Sequence, residues 1–167
     1  MKRMGSLVAK AAFIPPYPPT RVTSPDLVFL ETKSNYSIPA LHIKYPKSQN
    51  VQKEPFTLIF SHGNAEDLGA IQDWMYQLSK KLQVNVIAYD YVGYGISRSA
   101  NPSHSIPLAP SEKDCYECID AVYNYALAQG VPTDRLVVMG RSLGTGPTTD
   151  LASRNQVRGV ILQSPLL

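Results

Sequence analysis

Short, continuously apolar runs alternate along the chain with stretches whose apolar residues recur every three or four positions. The runs at 56–60, 84–89, 136–139 and 157–163 are strand-length. Between them, Leu68, Ile71, Met75, Leu78 and Leu82 share one helical face, and Cys115, Ile119, Val122 and Ala126 share another. Ser111-Glu-Lys-Asp114 has the form of a capping box at the head of the second helix, and Gly130 and Pro132 stop it. A third helix is expected from Ser142 to about Ser153. Short apolar strands joined by helices predict a mostly parallel sheet covered on both faces, so the fold class is α/β. Residues 27–32 and 37–45 precede this alternation. They read as an antiparallel hairpin turning at Asn35-Tyr36.

Residues 1–25 break the pattern, because Pro15-Pro-Tyr-Pro-Pro19 enforces extended backbone without donors. The chain therefore divides into an N-terminal arm, 1–25, and one α/β unit, 26–167. Leu7, Phe13 and Ile14 with Lys2, Arg3 and Lys10 would suit weak contact with a membrane surface, but the simpler expectation is an arm lying on the domain. Composition changes little: 167 residues, 44% of them hydrophobic, suffice for one core. Sixteen basic against thirteen acidic residues leave a net charge of +3, too weak to point to nucleic acid. No apolar run reaches the roughly 18 residues of a membrane-spanning helix. Lys10 interrupts the N-terminal apolar run, which argues against a signal peptide. Two cysteines three apart make no disulfide framework, so a reducing, cytoplasmic setting is expected.

The chemistry centres on Gly140-Arg-Ser-Leu-Gly144, which follows an apolar run and fits the nucleophile elbow G-x-S-x-G. A serine there sits at a strained strand-to-helix turn, and glycine on either side lets the neighbouring backbone approach. Ser142 is the candidate nucleophile. The Leu143 N–H is one oxyanion donor; the second comes from His62-Gly63-Asn64-Ala65 after an earlier strand, assigned to Asn64 with Ala65 as the alternate. His62 and Gly63 are read as structural supports of that loop. Pro147 conflicts with a helix capped by Ser142 and predicts a kink or a late start. Cys115 and Cys118 lie within a helix, where a thiol gains nothing from the dipole, and are read as packing residues. His42 is read as structural, and Asp90 as an anchor of the loop after its strand. No cofactor and no metal is expected.

These motifs resemble the α/β-hydrolase superfamily, and closely resemble the α/β-hydrolase-domain-containing 17 subfamily of palmitoyl-protein thioesterases. Ser61-His-Gly-Asn-Ala-Glu-Asp-Leu-Gly69, Tyr89-Asp-Tyr-Val-Gly-Tyr-Gly95 and Ser142-Leu-Gly-Thr-Gly-Pro-Thr-Thr-Asp-Leu-Ala-Ser153 carry the likeness, with Gly5 to Pro16 at the N-terminus. The resemblance implies a serine hydrolase acting on S-acylated proteins or small acyl esters at cytoplasmic membrane faces. It carries over Ser142, Leu143 and the Asn64 region. Three departures stand beside it. No cysteine precedes Cys115, so the subfamily's N-terminal anchor is expected to be lacking. The connection from Ile96 to Pro110 is longer than the subfamily's. The acid and histidine expected after the elbow are not found, since Asp150 is the one Asp after Ser142 and no His follows it. The expectation is a partial α/β-hydrolase domain, cut after the strand that follows the elbow helix, with weak or no turnover by itself. The alternative is an inactive hydrolase fragment serving interaction. His104 is a remote candidate for a substitute base.

Overall fold

A computed structural model describes residues 13–46, 54–99 and 109–165. The elements are β1 (Leu27–Glu31), β2 (Tyr36–Ile43), β3 (Thr57–Ser61), α1 (Leu68–Leu82), β4 (Asn85–Tyr89), β5 (Arg98–Ser99), α2 (Glu112–Ala128), β6 (Leu136–Arg141), α3 (Thr145–Arg154) and β7 (Gly159–Gln163). The sheet runs β1-β2-β4-β3-β6-β7, with the two-residue β5 beside β2. β1, β2 and β4 pair antiparallel, whereas β4, β3, β6 and β7 pair parallel. The expected α/β architecture with an N-terminal antiparallel hairpin is present.

The continuous apolar runs have a simple cause: each central strand feeds two cores. Ile59, Ile87, Tyr89, Leu136 and Val138 face α2 and α3, packing with Ile119, Val122 and Leu151. Leu58, Phe60, Val86 and Ala88 face α1, against Leu68, Ile71 and Met75. Alternate residues along each central strand thus point into opposite layers, whereas β7, at the end of the strand order, leaves Val160, Ile161 and Leu162 exposed rather than covered on both faces.

Helix boundaries follow their caps. Asp67 begins α1 by accepting from the Ala70 N–H, and Ser111 begins α2 by accepting from the Asp114 N–H. Three details differ from the sequence expectation. Leu82 is not on the buried stripe but 57% exposed. α1 ends there, Gln83 turns left-handed, and Ser79 takes the buried place with its hydroxyl donating to the Val84 carbonyl. The hairpin turn spans Thr32 to Asn35, closed by Thr32 and Tyr36, so Tyr36 belongs to β2. β7 begins at Gly159 rather than 157. The late start that Pro147 predicts is observed: Ser142–Gly144 forms a 3-10 turn and α3 begins at Thr145. This late start accommodates Pro147: the Thr145 N–H serves the Leu143 carbonyl, and Pro147 falls in the first turn, where a missing N–H costs nothing.

The described part of the arm crosses α1. Thr20 N–H donates to Asp67 and Thr23 N–H to Gln72, while the Gln72 amide returns a bond to the Arg21 carbonyl. A side chain at Gly69 would stand 2.4 Å from the Thr20 carbonyl oxygen, so the arm lies directly on the helix. The membrane-surface reading of Leu7, Lys2, Arg3 and Lys10 falls outside the described residues, as do His104 and most of the long loop after Ile96.

Candidate active site

The register of the parallel strands assembles the site. Ser61 at the end of β3 pairs with Gly140 near the end of β6, so the chain leaving each emerges side by side at one sheet edge. Their connections run to opposite layers, α1 on one side and α3 on the other, which opens a crevice at the strand ends.

Ser142 stands at this crevice, half-buried, with a positive φ of 49°. A side chain in the left-handed region is strained, and such strain persists only where the surroundings hold it. Here they do. A methyl on Gly140 would stand 2.4 Å from the Gly144 carbonyl oxygen, and one on Gly144 would stand 2.1 Å from the Ser61 carbonyl oxygen. The second glycine therefore serves the approach of the neighbouring strand β3, not only the turn of its own. The Thr145 hydroxyl donates to the Ser142 carbonyl at 2.6 Å and locks the turn from inside.

The loop from His62 to Asn64 is held from below by buried polar side chains. His62 is fully buried, its Nδ1 is 2.8 Å from the Gly63 carbonyl, and its Nε2 lies 3.3 Å from Asp90 Oδ1. Because a carbonyl only accepts, Nδ1 carries the proton of that bond. Asp90 Oδ1 accepts from the Leu68 N–H at the head of α1, and its other oxygen packs against Gly95. It therefore anchors a helix as well as the following loop. Burial pushes the Asp90 carboxyl above the usual carboxylate range, opposed by His62 and the Leu68 N–H. Tyr91 donates to the His62 carbonyl and Tyr94 to Asn64 Oδ1, each at 2.7 Å.

The Asn64 side chain is a junction. Its Oδ1 accepts from Tyr94, from the Ala65 N–H and from the Ile14 N–H of the arm. That oxygen is an acceptor, so an oxyanion donor at this residue would be the backbone N–H, as for Leu143. Leu143 itself packs its side chain partly into the core beside α2 and α3. His42 sits at the other end of the parallel strands, in a cleft with Thr57 and Asn85 and bonded to the Tyr125 hydroxyl. Cys115 and Cys118 are buried on α2, and burial pushes the Cys115 thiol up to about 12, with the nearby Asp114 and Glu112 charges adding.

Four contributors were not picked out as site residues by sequence reasoning: Tyr91, Tyr94, Glu66 and Arg141. The tyrosines follow Asp90, the residue just after β4, a position that turns out to lie beneath the loop. Glu66 and Arg141 are 75 residues apart and meet only in three dimensions.

Comparison with known proteins bears on the family and the fold. A family model described as serine aminopeptidase, S33, matches residues 52–167. The α/β hydrolase domain-containing protein aho-3 of Caenorhabditis elegans is 34% identical over 181 aligned positions, covering 97% of this chain and 52% of that protein. The α/β hydrolase domain-containing protein 17C of Mus musculus is 42% identical over 113 positions, covering 67% of this chain and 32% of its own length. The chain thus spans 52% and 32% of the lengths of these two relatives. Among solved structures, an esterase of Pyrococcus furiosus, Pf2001, superposes with a TM-score of 0.67 at 19% identity, covering 91% of this chain and 58% of that one. No helix among the described residues is long and apolar enough to cross a membrane.

Proposed function

For a chain that belongs to the serine aminopeptidase S33 family of α/β hydrolases, we propose the role of nucleophile-bearing half of a serine hydrolase acting on acyl esters and thioesters. The observation that carries this reading is Ser142 held at positive φ between Gly140 and Gly144, beside the His62–Asn64 loop. Ser142 Oγ attacks the acyl carbon, and the Leu143 and Asn64 N–H groups receive the oxygen as it becomes negative. The alcohol or thiol leaves as the C–O or C–S bond breaks, and water then releases the acyl group from the serine. S-acylated proteins at cytoplasmic membrane faces are the proposed substrate class, supported by the likeness to the domain-containing 17 relatives.

A second reading, a non-catalytic hydrolase fragment used for interaction, is favoured by one observation. Neither histidine among the described residues offers a nitrogen to Ser142: His62 is turned to Gly63 and Asp90, and His42 to Tyr125. A serine without a base retains only the part of the rate that binding and the oxyanion hole supply. A fluorophosphonate probe separates the two. Labelling of the protein that disappears in Ser142→Ala supports the hydrolase reading. Protein that is folded by circular dichroism yet unlabelled leaves the interaction reading standing.

A further inference from the structure

Glu66 and Arg141 belong to the two segments that build the site, Glu66 to the loop after β3 and Arg141 to the elbow. Arg141 Nη2 donates to both carboxylate oxygens of Glu66, at 2.7 and 2.6 Å. The same carboxylate accepts the Gly63 N–H at 2.9 Å, so one side chain holds its own loop and the facing segment together. The guanidinium also lies 4.8 Å over the Trp74 ring of α1 and 5.5 Å from the Phe60 ring of β3. Backbone packing runs in parallel: a methyl on Gly63 would stand 3.2 Å from Glu66 Oε2 and 3.6 Å from the Arg141 carbonyl oxygen.

We propose that the Glu66–Arg141 pair is a clamp that ties the oxyanion loop to the nucleophile elbow and sets the spacing of their donor N–H groups. Its catalytic consequence rests on the hydrolase reading above; the mechanical coupling does not. Exposed ion pairs contribute little by themselves, and these side chains are 24% and 29% exposed. This pair differs because the carboxylate is shared with a buried backbone donor and the guanidinium is stacked on rings, so its geometry is fixed from three sides. Both residues are positioning residues, since they act on the loop and the elbow rather than on a substrate.

The clamp is tested by exchange at two buried amides, Gly63 in the loop and Gly144 in the elbow, in variants confirmed as folded. Glu66→Gln preserves shape and the acceptor for Gly63 while removing the charge that holds Arg141. It is expected to speed Gly144 exchange by about tenfold, although Glu66 has no bond to the elbow except through Arg141. Arg141→Gln is expected to speed Gly63 exchange comparably, and the double variant no more than either single one. Arg141→Lys keeps the charge that pairs with Glu66 but loses the planar group stacked on the Trp74 and Phe60 rings, so it is expected to restore part of the protection lost in Arg141→Gln. Exchange that changes only in the mutated segment, or additive effects in the double variant, overturns the clamp. Labelling of Ser142 by a fluorophosphonate is expected to slow about 10- to 100-fold in Glu66→Gln and Arg141→Gln. If the unmodified protein is not labelled at all, the hydrolase reading falls while the exchange data still decide the clamp.

Discussion

Gly144 and Gly146 lie two residues apart, yet the structure asks opposite things of them. A methyl on Gly144 collides with the Ser61 and His62 carbonyl oxygens, at 2.1 and 2.7 Å, whereas nothing lies within 4 Å of one on Gly146. Gly144→Ala is expected to cost about 3 kcal/mol by forcing β3 and the elbow apart. Gly146→Ala, inside α3, is expected to gain about 0.5–1 kcal/mol from helix propensity. Urea unfolding of both variants measures the contrast, and equal effects would contradict the packing described. The thiols give a second residue-scale expectation. With Cys115 pushed up to about 12 by burial and Cys118 raised well above its ordinary value by the same cause, neither thiolate forms at neutral pH. A disulfide-exchange reagent at pH 7.5 should modify fewer than one thiol in the folded protein and both after denaturation. The motif made Gly144 legible in the sequence. The carbonyls it avoids were not, because they come from another strand.

Among the elements, α1 shows how one cap does two tasks. Asp67 is fully buried, accepts from Ala70 through one oxygen and from Thr20 of the arm through the other. Asp67→Ala is expected to cost about 3 kcal/mol, the sum of a lost N-cap and a stranded donor in the arm. Asp67→Asn, which keeps one acceptor, is expected to cost less than half of that. Limited proteolysis should cut the arm around Thr20 faster in Asp67→Ala; an unchanged rate would show that the arm is held by other contacts. Helix α3 shows the reverse case, in which sequence chemistry anticipated the outcome. Pro147 has no N–H for the Leu143 carbonyl, and the chain answers with a 3-10 turn and a start at Thr145. The exposure of Leu82 has a different cause: periodicity names a helical face but does not say that its last residue stays covered where the helix stops. A left-handed Gln83 ended it one residue past the last apolar position.

For the molecule as a whole, His42 supplies a pH dependence. Burial lowers its pKa, with Lys44 adding and Asp26 opposing. The unfolded chain therefore takes up this proton first, at about 6.5, and the folded state resists it. Stability from this residue is present at neutral pH and is lost as pH falls below about 6.5 through the lowered folded value. Chemical denaturation of the unmodified protein and His42→Gln between pH 7.5 and 5 should show the steeper loss in the former. Parallel curves would place the acid sensitivity elsewhere.

The sequence by itself determined the alternation of strands and helices, the two-sided burial of the central strands, the Ser111 cap of α2 and the glycine-flanked serine. Each is written in spacing and residue type within a dozen positions, where steric and hydrophobic preferences act locally. Only the tertiary structure decided that Ser61 pairs with Gly140, that Ile14 reaches Asn64, and that Glu66 meets Arg141. Those contacts span tens of residues. They exist because β3 and β6 are neighbours in a sheet whose register depends on the packing of both layers at once.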